Sequence, residues 1–127
     1  VYGYNLIAIG GPAVNSCTRE LCSEVGVRYW VSDGVFYLSA EGAEVSLNLS
    51  HLPWEDVAVA ALYQVDGRNV TVIWGYSWRG TLAACLYIGS PENWSRHFGR
   101  HVLLFRWIDL NGDLSVSLDE VVVEVSA

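Results

Sequence analysis

The chain contains no lysine; all seven of its cations are arginines, set against 14 acidic residues. The resulting net charge of −7 excludes the basic footprint that a nucleic-acid backbone requires. Charged residues make up only 17% of the chain and hydrophobic ones 52%, a balance foreign to a disordered polypeptide. No apolar run approaches the roughly 18 residues of a membrane span, so no crossing helix is expected. The chain opens at Val1 with no charged-then-apolar leader, as expected of a processed product or an excised domain. A CxxC pair is missing, so structural zinc is not expected. GxSxG, HExxH and a Ser/His/Asp order are also missing, and no assembled catalytic constellation emerges. Internal repeats, low-complexity tracts and long linkers are absent as well.

What is present is one domain's worth of chain, 127 residues and 14.0 kDa. Surface scaling gives about 6,700 Å² folded against about 20,000 Å² unfolded, so roughly two-thirds of the surface can be buried. Three sequons stand at Asn48-Leu49-Ser50, Asn69-Val70-Thr71 and Asn93-Trp94-Ser95, none with proline in the middle. With the acidic, lysine-free surface they point to the cell exterior, with N-glycans on Asn48, Asn69 and Asn93; the alternative is chance in a cytosolic protein. Three cysteines fit one disulfide and one buried thiol. Cys17 and Cys22 are five apart on an expected helix and point in different directions. Cys85, on a second expected helix, is the better partner, and a Cys22–Cys85 bridge is expected. The alternative is three buried thiols acting as small apolar residues. A catalytic Cys17 would need a paired histidine that no signal supplies.

Tyr4 to Ile9 reads as a buried strand ending in the tight turn Gly10-Gly11-Pro12, with a helix over Ala13–Val25 stopped by Gly26. Val27–Val31 and Val35–Leu38 flank the turn Ser32-Asp33-Gly34 as a hairpin. Val45, Leu47 and Leu49 alternate as in a half-buried strand, and Pro53 to Asp56 reads as a loop. Val57–Val65 is a central-strand candidate, Asp66 to Asn69 a turn and Val70–Trp74 a returning strand. Gly75 to Gly80 leads into a helix from Thr81 to about Ile88. Ser90 to Arg100 reads as a polar loop, and Val102–Ile108 and Val121–Val125 as strands. The expected class is mixed α/β (α+β): a mostly antiparallel or mixed sheet carrying two helices, with a strand–GGP–helix opening and a C-terminal β-hairpin.

The segment DLNGDLSVSLDE carries the strongest chemical pattern. Asp109, Asn111, Asp113 and Glu120 fall at positions 1, 3, 5 and 12 of a twelve-residue loop of the calcium-binding EF-hand type. Ser115 offers its carbonyl at position 7, and Ser117 or a water it holds could fill position 9. Alternate residues in a tight turn converge hard oxygens on one point, and a later glutamate closes the shell with two more. Leu114 stands where glycine is usual, and the flanks read as strands, so a true EF-hand is excluded. A strand-flanked calcium loop and a hairpin turned at Asn111-Gly112 remain, and the two are compatible.

Other signals are weaker. Gly10-Gly11-Pro12 before a helix suggests a phosphate loop, but it matches neither GxGxxG nor the Walker pattern. His97 and His101, beside Arg96 and Arg100, read as a solvated basic patch. Glu55-Asp56 and Asp119-Glu120 are neighbours that point apart on a strand. Trp30, Trp54, Trp78 and Trp94 fall near turns or strand ends, where exposed aromatics stack on sugars or anchor interfaces. Val121–Val125, apolar apart from Glu124, suits a central strand or pairing with a neighbouring subunit's edge.

Three blocks together resemble archaeal S-layer and S-layer-related surface proteins: NLIAIGGPAVNSCTREL (Asn5 to Leu21), VTVIWGYSWRGTLAACLYI (Val70 to Ile88) and FRWIDLNGDLSVSLDEVVVEV (Phe105 to Val125). They cover about half the chain, in the expected order. The resemblance implies a secreted, glycosylated, calcium-stabilised domain that polymerises into a sheet or filament. S-layer proteins are usually long and multi-domain, so a filament subunit or one excised domain fits equally. A carbohydrate- or cell-wall-binding module using exposed Trp and Tyr is the alternative. A small hydrolase or phosphate-ligand protein built on Gly10-Gly11-Pro12 is the third reading.

Overall fold

The computed structural model describes residues 5–127, apart from the side chain of Trp94. Tyr4, expected to open the first strand, and Trp94 as an exposed aromatic therefore lie outside what is described. The strands are β1 (Leu6–Ile9), β2 (Arg28–Ser32), β3 (Val35–Ala40), β4 (Ala43–Asn48), β5 (Glu55–Val65), β6 (Arg68–Gly75), β7 (Val102–Ile108) and β8 (Val121–Ser126). The helices are α1 (Ser16–Val25), α2 (Trp78–Ile88) and the short α3 (Pro91–Ser95). Five strands form one sheet in the order β1-β6-β5-β7-β8, and β2-β3-β4 form a second. Only β1 runs parallel to its neighbour, with Leu6 opposite Val70; the other pairings are antiparallel. The fold is thus α+β and mostly strands, as the sequence pattern implied.

Three two-residue turns set the registers. Asp33-Gly34, Glu41-Gly42 and Asp66-Gly67 each place both residues at positive φ, the mirror-image turn whose twist matches the strands it joins. The central strand β5 carries small and β-branched residues because both its faces are covered. Val57, Val59 and Ala61 face a core shared with α1 (Leu21, Cys22) and the small sheet (Phe36, Leu38, Leu47). Ala58 and Ala60 face the other way, against α2 (Ala84, Tyr87) and β7 (Leu103, Phe105). The layers are therefore α1 with the small sheet, the five-stranded sheet, then α2. Each fully buried Leu or Val in the first core contributes about 1.5–3 kcal/mol.

This layering overturns the expected Cys22–Cys85 bridge. All three cysteines are free. Cys22 lies in the core on the α1 face, with Cys17 packed against the same cluster. Cys85 packs into the cluster on the α2 face. The sheet lies between them, whereas a disulfide needs Cβ atoms about 4 Å apart. Burial pushes the Cys22 thiol up to about 11, against the lowering effect of a contact with Trp74, so it stays protonated and apolar in character.

Several boundaries also move. Helix α1 begins at Ser16, not Ala13, because the Asn15 side chain accepts from the N–H groups of Cys17 and Thr18 and caps it there. Helix α2 begins at Trp78, capped by Ser77. Glu55 and Asp56 are the first residues of β5 rather than loop, and Arg68 and Asn69 already belong to β6. The stretch read as a polar loop contains α3.

Candidate metal centre

Strands β7 and β8 pair as expected, but their connection is the whole segment 109–120 and not a tight Asn111-Gly112 hairpin. Asp109 organises it. Its Oδ1 accepts from the N–H of Gly112 at 3.0 Å and its Oδ2 from the N–H of Leu114 at 2.9 Å. Both partners have positive φ, 75° and 58°. Leu114, in the place where glycine is usual, thus adopts the left-handed backbone such a loop demands, at a cost of about 1–2 kcal/mol. Its carbonyl accepts from Arg79 Nε at 3.2 Å, which ties the loop to the first turn of α2. Asn111 Oδ1 accepts from the N–H of Asp113, and Asp113 Oδ1 from that of Ser115.

One oxygen from each of Asp109, Asp113 and Glu120 falls within 4.8 Å of the others. Oxygens on opposite sides of a calcium ion stand about 4.6–5.2 Å apart, so the spread suits a shell of that size. The donor set of three carboxylates is hard and anionic, as calcium prefers, while Asn111 Nδ2 donates to Asp113 Oδ2 at 3.2 Å. Glu120 departs from the sequence expectation. It is buried, and its Oε1 already accepts from Trp107 Nε1 (3.1 Å) and from the N–H (3.2 Å) and hydroxyl (3.0 Å) of Ser117. Its Oε2 accepts only from the Leu110 N–H at 2.8 Å. Glu120 therefore has one oxygen to offer a cation, not two. Burial acts to raise its pKa; hydrogen bonds from Leu110, Trp107 and Ser117 outweigh that and hold it below the usual 4.5. Ser115 enters the loop's bonding through its N–H, and Ser117 is engaged with Glu120.

A second buried carboxylate escaped the sequence reading. Asp56, on β5, accepts from the N–H groups of Val57 (2.8 Å), Ser77 (2.9 Å) and Gly80 (3.0 Å) and from the Ser77 hydroxyl. It sits beneath the N-terminus of α2, where the helix dipole favours negative charge. Burial is the larger influence and raises its pKa in spite of those donors. No spacing rule joins residue 56 to residues 77 and 80, so only the fold reveals the contact. Its neighbour Glu55 points elsewhere, to Arg106 and to His51 at 3.1 Å. Arg106 also bonds Glu124 and the Ser46 carbonyl, joining β4, β5, β7 and β8.

The remaining candidates disperse. His97 is bonded on both ring nitrogens, to the Tyr87 hydroxyl at 2.7 Å and to Ser126 Oγ at 3.0 Å. His101 stacks on Tyr63 instead of joining it. The N-terminal amides of α1 that an anion would use are spent on Asn15, and the Gly11 carbonyl closes the turn by accepting from the N–H groups of Val14 and Asn15. Asp119 is exposed, whereas Glu120 is buried. Trp54 and Trp78 are exposed singly, whereas Trp30 stacks on Tyr37, 5.2 Å between centroids, on the outer face of the small sheet. Of the sequon asparagines, Asn48 and Asn69 are exposed and Asn93 is half-buried in α3. Among the described residues no helix is long and apolar enough to cross a membrane. A comparison with family models finds none that matches this chain, and searches of curated proteins and of solved structures return no match either.

Proposed function

We propose that this chain is a non-catalytic structural subunit or domain of an extracellular assembly, an S-layer-like lattice or a filament, stabilised by calcium and N-glycosylated at exposed sequons. The observation that carries the reading is the convergence of Asp109, Asp113 and Glu120 on one point of a loop organised from within. The ion would be held by Asp109, Asn111 and Asp113, with a single oxygen of Glu120. Its two charges would offset most of the repulsion among three neighbouring carboxylates on an already acidic chain. The loop's own residues do the positioning: Asp109 fixes the turn, and Glu120 anchors its end to Trp107 and Leu110. Exposed Asn48 supports the glycosylated exterior, whereas Asn69, also exposed, lines an apolar groove. The free cysteines neither require nor contradict it.

The test is thermal unfolding with calcium and with chelator. A ligand at about a hundred times its dissociation constant stabilises by about 2.7 kcal/mol, which moves the Tm of a domain this size upward by several degrees. Wild type is expected to show that shift. A variant with Asp109→Asn and Asp113→Asn, which removes two of the three charges and leaves each side chain one oxygen, is expected to show a much smaller shift. An equal calcium response in both would remove the metal from the account. The carbohydrate-binding reading keeps one specific support, the Trp30–Tyr37 pair, which offers a flat aromatic surface to a sugar ring.

A further inference from the structure

Helix α2 covers only part of its face of the five-stranded sheet. It packs over β5, β6 and β7, and among the described residues no helix packs on this face over β1 and the adjoining ends of β5 and β6. There a groove of about 820 Å³ opens between the sheet and the 97–101 segment. Its floor and walls include Ile7, Leu62, Ile73, Ile88, Phe98 and Leu103. The volume is that of sites which hold small molecules, about 300–1,000 Å³. Ile7 (65% exposed), Leu62 (48%) and Phe98 (88%) present apolar surface there to water.

The charge around this groove runs against the rest of the molecule. The chain has twice as many acids as cations, yet no acidic residue among those described lines it. Arg100 does line it, and the described residues place no carboxylate within ion-pairing distance of Arg100. The two imidazoles on the same wall are engaged. His97 is held by Tyr87 and Ser126, and His101 meets the Leu62 carbonyl at 3.3 Å. They fix the segment that carries Arg100, whose guanidinium has no ion-pair partner among the described residues.

From this juxtaposition we infer that the groove binds a free single-chain amphiphile with an anionic head, of the fatty-acid type: the alkyl chain lies on Ile7, Leu62 and Ile73, and the carboxylate meets Arg100. A guanidinium and a carboxylate make charge-assisted hydrogen bonds about twice as strong as neutral ones. The inference stands apart from the calcium loop, which lies at the other end of β7, and does not depend on assembly.

Isothermal titration calorimetry with dodecanoate below its micelle concentration tests it on the intact chain. Wild type is expected to bind one dodecanoate per chain. Arg100→Gln, at an exposed position, is expected to weaken that affinity about tenfold. Leu62→Glu, which puts an acid into the groove, is expected to abolish binding, with circular dichroism confirming its fold. Dodecanol, which keeps the chain and loses the charge, is expected to bind wild type about tenfold more weakly and to ignore Arg100→Gln. Absence of dodecanoate binding, equal affinity for the acid and the alcohol, or indifference to Arg100→Gln would overturn the inference. Sedimentation of the protein with anionic phospholipid vesicles, in place of dodecanoate binding, would assign the face to a membrane surface and also overturn it.

Discussion

Asp56 and Glu120 are both nearly inaccessible carboxylates with several donors each, yet their pKa values move in opposite directions. For Asp56 the loss of solvent outweighs its donors; for Glu120 the donors win. Their partners set their separate positions, Asp56 at the start of α2 and Glu120 at the end of the loop. His97 offers the cleanest measurement at this scale. Burial lowers its pKa below 6.5, and the nearby charges of Arg96 and Arg100 lower it further. The folded state therefore prefers the neutral ring. Its contribution to stability is complete above about pH 6.5 and declines as the pH falls from there toward the folded value, because the unfolded chain takes up the proton first. Denaturant midpoints measured from pH 8 to pH 5 should show wild type losing more stability on acidification than His97→Gln. Parallel curves for the two would refute the assignment.

At the scale of elements, the start of α2 is built on close approach. A Cβ on Gly75 would lie 2.5 Å from the Gly80 backbone, and one on Gly80 would lie 2.8 Å from both Asp56 Cγ and the Val57 carbonyl. Alanine gains about 1 kcal/mol over glycine inside a helix, but overpacking of this kind costs about 1–3 kcal/mol and here also displaces a buried carboxylate from its donors. Gly80→Ala should therefore lower stability by about 2 kcal/mol net, read as a lower urea midpoint with unchanged slope; a neutral or stabilising result would show that the contact is loose. Much of this level was legible in the sequence. Continuous apolar runs marked β5 through β8, and Gly26 marked the end of α1, where it takes a φ of 76°. What escaped has physical causes. Glu55 and Asp56 look like loop residues until Arg106 and the α2 amides supply their partners. Asn111-Gly112 looks like a hairpin turn until Asp109 and Glu120 stretch the connection to the full segment. Whether two helical cysteines can meet depends on which side of the sheet each helix packs, and spacing along the chain does not encode that. Of the five residues expected to line a calcium loop, Asp109, Asp113 and Glu120 converge, but the burial of Glu120 was not legible, because Trp107 and Ser117 carry no metal-site pattern.

At the scale of the molecule, the central sheet separates two dissimilar sides. One carries α1 and the small sheet with its Trp30–Tyr37 pair; the other carries α2 and the apolar groove. The acidic loop and the arginine-edged groove lie at opposite ends of β7, so the two proposed ligand sites are separate and can be tested independently. Edge strand β8 keeps Val122 largely exposed, and edges of this kind are where chains add to one another. The central claim is that the chain builds a calcium-stabilised assembly. Sedimentation velocity of the wild-type protein, first in calcium and then after chelation, tests it most directly. The account predicts particles far larger than 14.0 kDa in calcium and their dissociation on chelation. A single monomeric species in both conditions would contradict it.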